Sequence, residues 1–180
     1  MPIPQRGLVE RMLGAAMLNT ATYEEVEHDR GATGQAFIVV VLAAICAGIG
    51  GLGHGGSGFL GALFGAILGW LSWSAVTMFV GTRLFGGTAD WGEMLRTLGF
   101  AQAPGVLAIF GIIPLLGGVV RLVVFVWLLV AGIVAIRQAL DIDTGKAILT
   151  AVVGWLAMVV LSVIFGIIFG IGAFGMSLFR

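Results

Sequence analysis

The sequence predicts an all-α membrane protein: a polytopic bundle of five transmembrane helices, preceded by an N-terminal amphipathic interfacial helix. Composition is the first observation behind this. Only 10% of the 180 residues are charged, 59% are apolar and 30 are Gly. Soluble domains carry about a quarter of charged residues. The apolar surface implied is more than one compact soluble core hides, and too few charges remain to cover it. Segregation of the charges is the second. From Gly31 to Thr82 about 52 residues pass without Asp, Glu, Lys or Arg, which as one helix would reach about 78 Å. The hydrocarbon core is only about 30 Å thick, so this run crosses twice. Third, uncharged runs recur at Thr97 to Val120, Leu122 to Ile136 and Ala147 to Phe179.

Two regions follow: residues 1–34, an amphipathic and acidic cytoplasmic segment, and residues 35–180, the five-span domain. In the first, Leu8, Met12 and Ala16 recur four apart, as do Val9, Leu13 and Met17. That is one apolar stripe on a helix, with Arg6, Glu10 and Arg11 off it. Such a helix lies on the cytoplasmic leaflet or packs on the ends of the bundle; periodicity does not separate the two. Thr22-Tyr23-Glu24-Glu25 fits a capping box opening a short acidic helix through Asp29, and Gly31 and Gly34 break the chain before the first span.

The spans are expected at Gln35–Gly53, Ser57–Phe85, Leu98–Leu116, Val119–Ala139 and Lys146–Phe169, with a glycine-rich turn from Gly50 to Gly58. The second is long enough to require tilt. Five spans put Arg6, Arg11, Arg30, Arg83, Arg96, Arg137 and Lys146 on one side and Arg121 and Arg180 on the other. The positive-inside rule then predicts a cytoplasmic N-terminus and an exterior or periplasmic C-terminus. No secretory signal peptide is expected, since the first apolar run follows an acidic segment without an Ala-x-Ala site; the first span itself serves as the insertion signal. Cys46, the lone cysteine, excludes a disulfide framework and reads as a small core residue.

Chemistry-bearing patterns are sparse. Gly48-Ile49-Gly50-Gly51-Leu52-Gly53 spells a dinucleotide-binding pattern, but it ends a membrane span instead of joining a strand to a helix, and is rejected. Gly61, Gly65 and Gly69 form a ridge of small residues four apart; Gly166 and Gly170 repeat the spacing, as do Ala43, Ala47 and Gly51. These are helix-packing candidates, inside the bundle or across a homodimer. Span three carries Pro104 and Pro114, with Gly105 and Gly111, and Gln102 sits beside the first proline. Pro kinks a helix, and interrupted helices line transporter sites; Gln102, Pro104 and Pro114 therefore mark a candidate kinked-span site. Against transport, no ionisable group falls at mid-span: Arg83, Arg121 and Arg137 lie near span ends. His28 and His54 fall on opposite sides and cannot share a metal, and Glu24, Glu25, Glu27 and Asp29 read as a solvated acidic face. With no nucleophile, metal or phosphate motif, and no paired carboxylates inside a span, no catalytic residue, cofactor or metal is expected. A net charge of zero points to no nucleic-acid partner.

The segment Gly86 to Arg96 is the most informative soluble piece. Thr88, Ala89 or Asp90 caps a short helix leading into span three, and Trp91 suits the headgroup level. Arg83, Asp90, Trp91, Glu93, Arg96 and Lys146 are candidates for contact with a protein partner on the cytoplasmic face; the alternative is a re-entry helix anchored by Trp91.

Phe85-Gly86-Gly87-Thr88 before a short helix, Gly99-Phe100-Ala101-Gln102-Ala103-Pro104 opening span three, and Gly145-Lys146-Ala147 opening span five occur in an order similar to that of the Yip (Ypt-interacting-protein) domain family. Over residues 10 to 170 the chain resembles a compact bacterial-type member, with Phe100 where the family's Gly-Tyr-x-x-x-Pro pattern has Tyr. The Asp-Leu-x-Gly-Pro signature of eukaryotic members is missing, so the resemblance carries no Rab-type GTPase contact. It implies a non-enzymatic multi-pass protein, N-in and C-out in the bacterial inner membrane, acting through partner contacts or membrane organisation. Two rivals stand beside it: a small transporter, channel or lipid-handling protein built around span three, and an accessory subunit of a larger membrane complex.

Overall fold

Long apolar runs wind into helices in a membrane because each backbone N–H and C=O must be satisfied within the segment. The fold is given by a computed structural model, which describes residues 6–51 and 59–177, with only the backbone described for Phe59 and residues 168–177. Two short helices, α1 (Leu8–Ala16) and α2 (Thr20–His28), form a hairpin. They are followed by α3 (Ala32–Gly50), α4 (Phe59–Leu84), α5 (Trp91–Phe100), a 3-10 segment (Ala103–Ile112), α6 (Gly117–Ala139) and α7 (Thr144–Ser177). Among the described residues, five stretches are long and apolar enough to cross a membrane: Ala32–Gly50, Leu60–Leu84, Trp91–Ile112, Gly117–Ala139 and Thr144–Ile167. The glycine-rich turn with His54 and the terminal Arg180 lie outside the described residues.

Number and order of the spans match expectation; three local details differ. The capping box expected at Thr22 is replaced by a cap at Asn19, whose side chain accepts the Ala21 N–H at 3.0 Å. The reason is the tight turn before it. Leu18 takes φ 59°, and the N–H groups of Leu18 and Asn19 return to the carbonyls of Ala15 and Gly14, closing α1 in a Schellman turn. Thr22 is left inside α2, buried against Gly14, where no Cβ fits beside its hydroxyl. Second, span three starts at Trp91, not Leu98, because Asp90 and Glu93 cap α5: Asp90 Oδ1 accepts the Glu93 N–H at 2.8 Å, and Glu93 Oε2 accepts the Asp90 N–H at 2.7 Å. Third, the two prolines do not act alike. Pro104 cannot donate to Phe100, so α-winding stops there and a ten-residue 3-10 segment takes over, long for its kind. Pro114 lies in the exposed turn after that segment, where it ends the span instead of kinking it.

Span three is the hub. In its window 61% of residues are buried, against 28% or less in the other four. It can sit there because small residues face it. Gly99 lies against Ala36 of α3, Gly105 against Ala43, and Gly111 and Ala108 against Gly50, so α3 and span three run backbone to backbone. The two ends of the bundle differ. At the end bearing α1 and α2, the capped end, every helix is engaged. Toward the other, open end α7 leaves the bundle: Gly154 still meets Trp73 and Thr77 of α4, but residues 159–167 are all exposed.

Candidate functional site

Arg11 organises the capped end. The stripe reading placed it off the apolar face; in the fold that face turns inward, and Arg11 is only 2% exposed. A buried guanidinium is tolerated only when its donors are matched. Here Nε donates to Glu25 Oε1 at 3.0 Å, Nη2 to Asp29 Oδ2 at 2.7 Å and Nη1 to Gln35 Oε1 at 3.0 Å. One side chain thus ties α1 to α2 and to the start of α3. Its hydrogen bond holds the Asp29 carboxyl below the ordinary carboxylate range. Arg6 adds a bond to Thr22 Oγ1 at 3.1 Å and an ion pair with Glu25 at 3.5 Å.

Arg96 closes the hairpin from below. It was a candidate for surface contact, but it is 5% exposed and turned inward. Nε donates to Val26 O at 3.0 Å and Glu27 O at 2.9 Å, and Nη2 also reaches Glu27 O. These carbonyls belong to the last turn of α2, the negative end of a helix, where a cation is favoured. The C-terminal carbonyls of α1 are used as well: Tyr23 Oη donates to Ala15 O at 3.1 Å and Trp127 Nε1 to Ala16 O at 2.7 Å. Gln138 Nε2 donates to Glu24 at 2.8 Å. The acidic run is therefore no freely solvated face: Glu25 and Asp29 hold the hairpin together through Arg11, and Glu24 fastens it to α6. Glu27 is the exception. It is buried, Oε2 has no hydrogen-bond partner, and burial, with Asp141, Glu93 and Glu24 nearby and only His28 opposing, pushes its carboxyl up to about 7.

The apolar stripe of α1 divides in two. Leu8, Met12 and Ala16 pack on the core, while Val9, Leu13 and Met17 are 67%, 57% and 73% exposed. Trp127, which holds the end of α1, stands midway along α6, so the hairpin lies along the flank of the bundle as well as on its end. One face of the helix packs, as the packing reading expects, and the other is exposed.

The Gly-Gly-Thr turn has a mechanical role. Gly86 takes φ 75°, a conformation that favours Gly. Gly87 lies against Leu140, Thr88 N–H donates to Leu140 O at 3.2 Å, and Thr88 Oγ1 lies 3.3 Å from Asp141 Oδ2. The α4–α5 turn is thereby docked on the α6–α7 turn. Of the surface candidates around it, Asp90 and Glu93 are occupied as caps, whereas Arg83, Trp91 and Lys146 are exposed; Lys146 lies 4.0 Å from Asp143. Among the described residues no group of three His, Cys, Asp or Glu is placed to hold a metal ion.

The remaining candidates lie toward the open end. Gln102 lines a cavity of about 440 Å³ between α3, α4, span three and α6, together with Trp70, Trp73 and Arg121. Pro104 is buried beside it and Pro114 lies outside it. Gly69 is on the cavity wall. A Cβ at Gly65, Gly69 or Gly166 would meet nothing within 4 Å, and Gly61 is exposed. The surroundings of Gly170 lie outside the described residues. Sequence reasoning missed Arg11, Trp127 and the two cavity tryptophans. Arg11 had a visible signal, since Arg6 and Arg11 precede an acidic run across one short turn; the tryptophans had none beyond their depth in the spans.

A family model described as the Yip1 domain matches residues 17–166, from the end of α1 into α7. Comparison with curated proteins and with solved structures gives no match.

Proposed function

The chain belongs to the Yip1 domain family, and from that premise we propose that it works without catalysis, at the cytoplasmic leaflet, through partner contacts or membrane organisation. The observation that carries this reading is α1. Its inner face is locked by Arg11, and its outer face presents Val9, Leu13 and Met17. A rigidly held apolar edge enters the leaflet beside it and takes up area in that leaflet alone. The basic residues at the capped end support a cytoplasmic placement of that end, as expected of a bacterial inner-membrane protein with its C-terminus outside. Arg83, Trp91 and Lys146 are the exposed groups offered to a protein partner there. The open glycines Gly61, Gly65, Gly69 and Gly166, with Gly170, are the candidate seam of a homodimer.

The test is the triple substitution Val9→Glu, Leu13→Glu and Met17→Glu. These side chains are exposed, so the bundle should fold and elute from gel filtration as the parent does. Reconstituted vesicles should lose the size distribution the parent imposes, and in-cell cross-links to partners should weaken. Unchanged vesicle size together with unchanged cross-links overturns the proposal.

A further inference from the structure

We propose that the cavity toward the open end holds an acyl chain of one phospholipid whose anionic headgroup rests on Arg121. Three observations converge on that occupant. Size is the first: about 440 Å³ falls within the roughly 300–1,000 Å³ of small-ligand sites. The walls are the second. Val40, Ala44 and Ala47 of α3 face Val124, Phe125 and Leu128 of α6, so nearly all of the lining is hydrocarbon. Left empty, such a space forfeits packing over its whole wall. Water is a poor filler, because each molecule needs two to four polar partners, and an apolar wall supplies few. Trp70 is already committed, its indole N–H donating to Leu95 O at 3.1 Å.

The third observation is where the cavity opens and what charge stands on its wall. α4 and α6 scarcely touch, and α7, which packs on both, has left the bundle by residue 159. The gap therefore faces sideways, where lipid lies. Among the described lining residues the one charged side chain is Arg121, one turn into α6, with Nε donating to Gly117 O at 3.1 Å. A guanidinium near a span end reaches headgroup level and matches a phosphate diester in geometry and charge. An exposed cation on the wall of a hydrocarbon-lined space offers the two kinds of contact that a phospholipid makes. Gln102 provides an amide on the wall.

The experiment uses the full chain reconstituted with phosphatidylglycerol or phosphatidylcholine carrying a diazirine in one acyl chain. Photolabelled peptides are mapped by mass spectrometry. The phosphatidylglycerol probe should label the α3 and α6 segments around Ala44 and Leu128 several-fold more than the phosphatidylcholine probe. Ala44→Phe should abolish this labelling while sparing that of the exposed face of α7. Should Ala44→Phe fail to fold by gel filtration, Ala47→Phe gives the same reading from an exposed wall position. Arg121→Gln should bring the anionic probe down to the level of the zwitterionic one, and Arg121→Lys should restore part of the difference. Equal labelling by the two probes in the parent chain, or labelling untouched by filling the cavity, means annular lipid only and overturns the proposal. Displacement of the probe by inorganic phosphate would overturn it too, because a site for the anion alone needs no acyl chain.

Discussion

The capped and open ends of this bundle are built from the same residue types and reach opposite results. Glycines along α3 and span three are filled at both ends, where Gly99 meets Ala36, Gly105 meets Ala43 and Gly111 meets Gly50; at the capped end Gly14 meets Thr22 and Gly87 meets Leu140, while Gly34 and Gly86 meet nothing within 4 Å. Toward the open end Gly65, Gly69 and Gly166 face empty space, and large apolar side chains such as Leu60, Phe64, Val160 and Phe165 stand exposed. Without a hydrophobic drive between helices in lipid, contact is decided by whether a small residue has another backbone opposite it. The difference teaches that glycine spacing marks where helices are able to approach, and that a facing small residue or backbone decides where they do. The capped end has Arg11, Arg96, Gln138 and Trp127 crossing between elements.

Breaking the filled end should have the largest effect. Gly99→Leu would put even its Cβ 2.7 Å from the Ala36 Cβ and 3.2 Å from that residue's backbone. Neither backbone yields cheaply, and overpacking of this kind costs about 3 kcal/mol or more. Thermal unfolding followed through the reaction of Cys46 with a thiol probe should show a sharply lowered midpoint; an unchanged midpoint would mean that α3 and α5 are not in contact. Arg11→Met comes next. It leaves Glu25, Asp29 and Gln35 without their shared donor, a loss of about 3 kcal/mol, taken at the low end because both carboxylates keep about a fifth of their side-chain surface. Hydrogen exchange should rise across α1 and α2 and stay low in α6. Uniform exchange in parent and variant would contradict the clamp.

Glu27 sharpens the comparison through pH. Its folded value is raised to about 7, so the folded chain holds the proton after the unfolded chain has lost it. Stability from the protonated carboxyl is fully present below the ordinary carboxylate range and is lost as pH rises through about 7. The hairpin should accordingly show faster exchange at pH 8 than at pH 5.5, and Glu27→Gln should remove most of that difference. A parent chain with pH-independent exchange in α2, after correction for intrinsic rates, would contradict the buried carboxyl. Gly65→Leu should do least: the site is open, and surface changes of this sort stay within about 0.5 kcal/mol. An intact fold with a lost dimer would identify the ridge as a seam between copies, and an intact fold with an unchanged oligomeric state would leave it facing lipid.

Span number and order were legible because charge exclusion from the hydrocarbon writes them directly into the sequence. Span ends were less so: Trp91 begins the third span because Asp90 and Glu93 cap each other, a local bond that hydropathy does not register. Pro104 and Pro114 looked alike in sequence, yet one changes the winding of a span and the other ends it, according to where the next helix starts. The site was half legible. The stripe on α1 was visible, but which of its edges packs depends on Arg11 turning inward, and a charged residue off an apolar stripe ordinarily faces water. Arg96 misled for the same reason: its partners are backbone carbonyls of α2, some seventy positions earlier in the chain, with no side-chain signature. The cavity by Gln102 depends on α4 and α6 standing apart, a long-range property no local pattern carries.

The central claim is that α1 is held rigidly with one apolar edge in the leaflet. The most direct test is a spin label at Leu13, with Cys46→Ser removing the native thiol, read by power saturation in reconstituted vesicles. The account predicts a label accessible to oxygen, shielded from a water-soluble nickel complex, on a backbone that stays fixed. A label open to the nickel complex and shielded from oxygen would place α1 in water and contradict it.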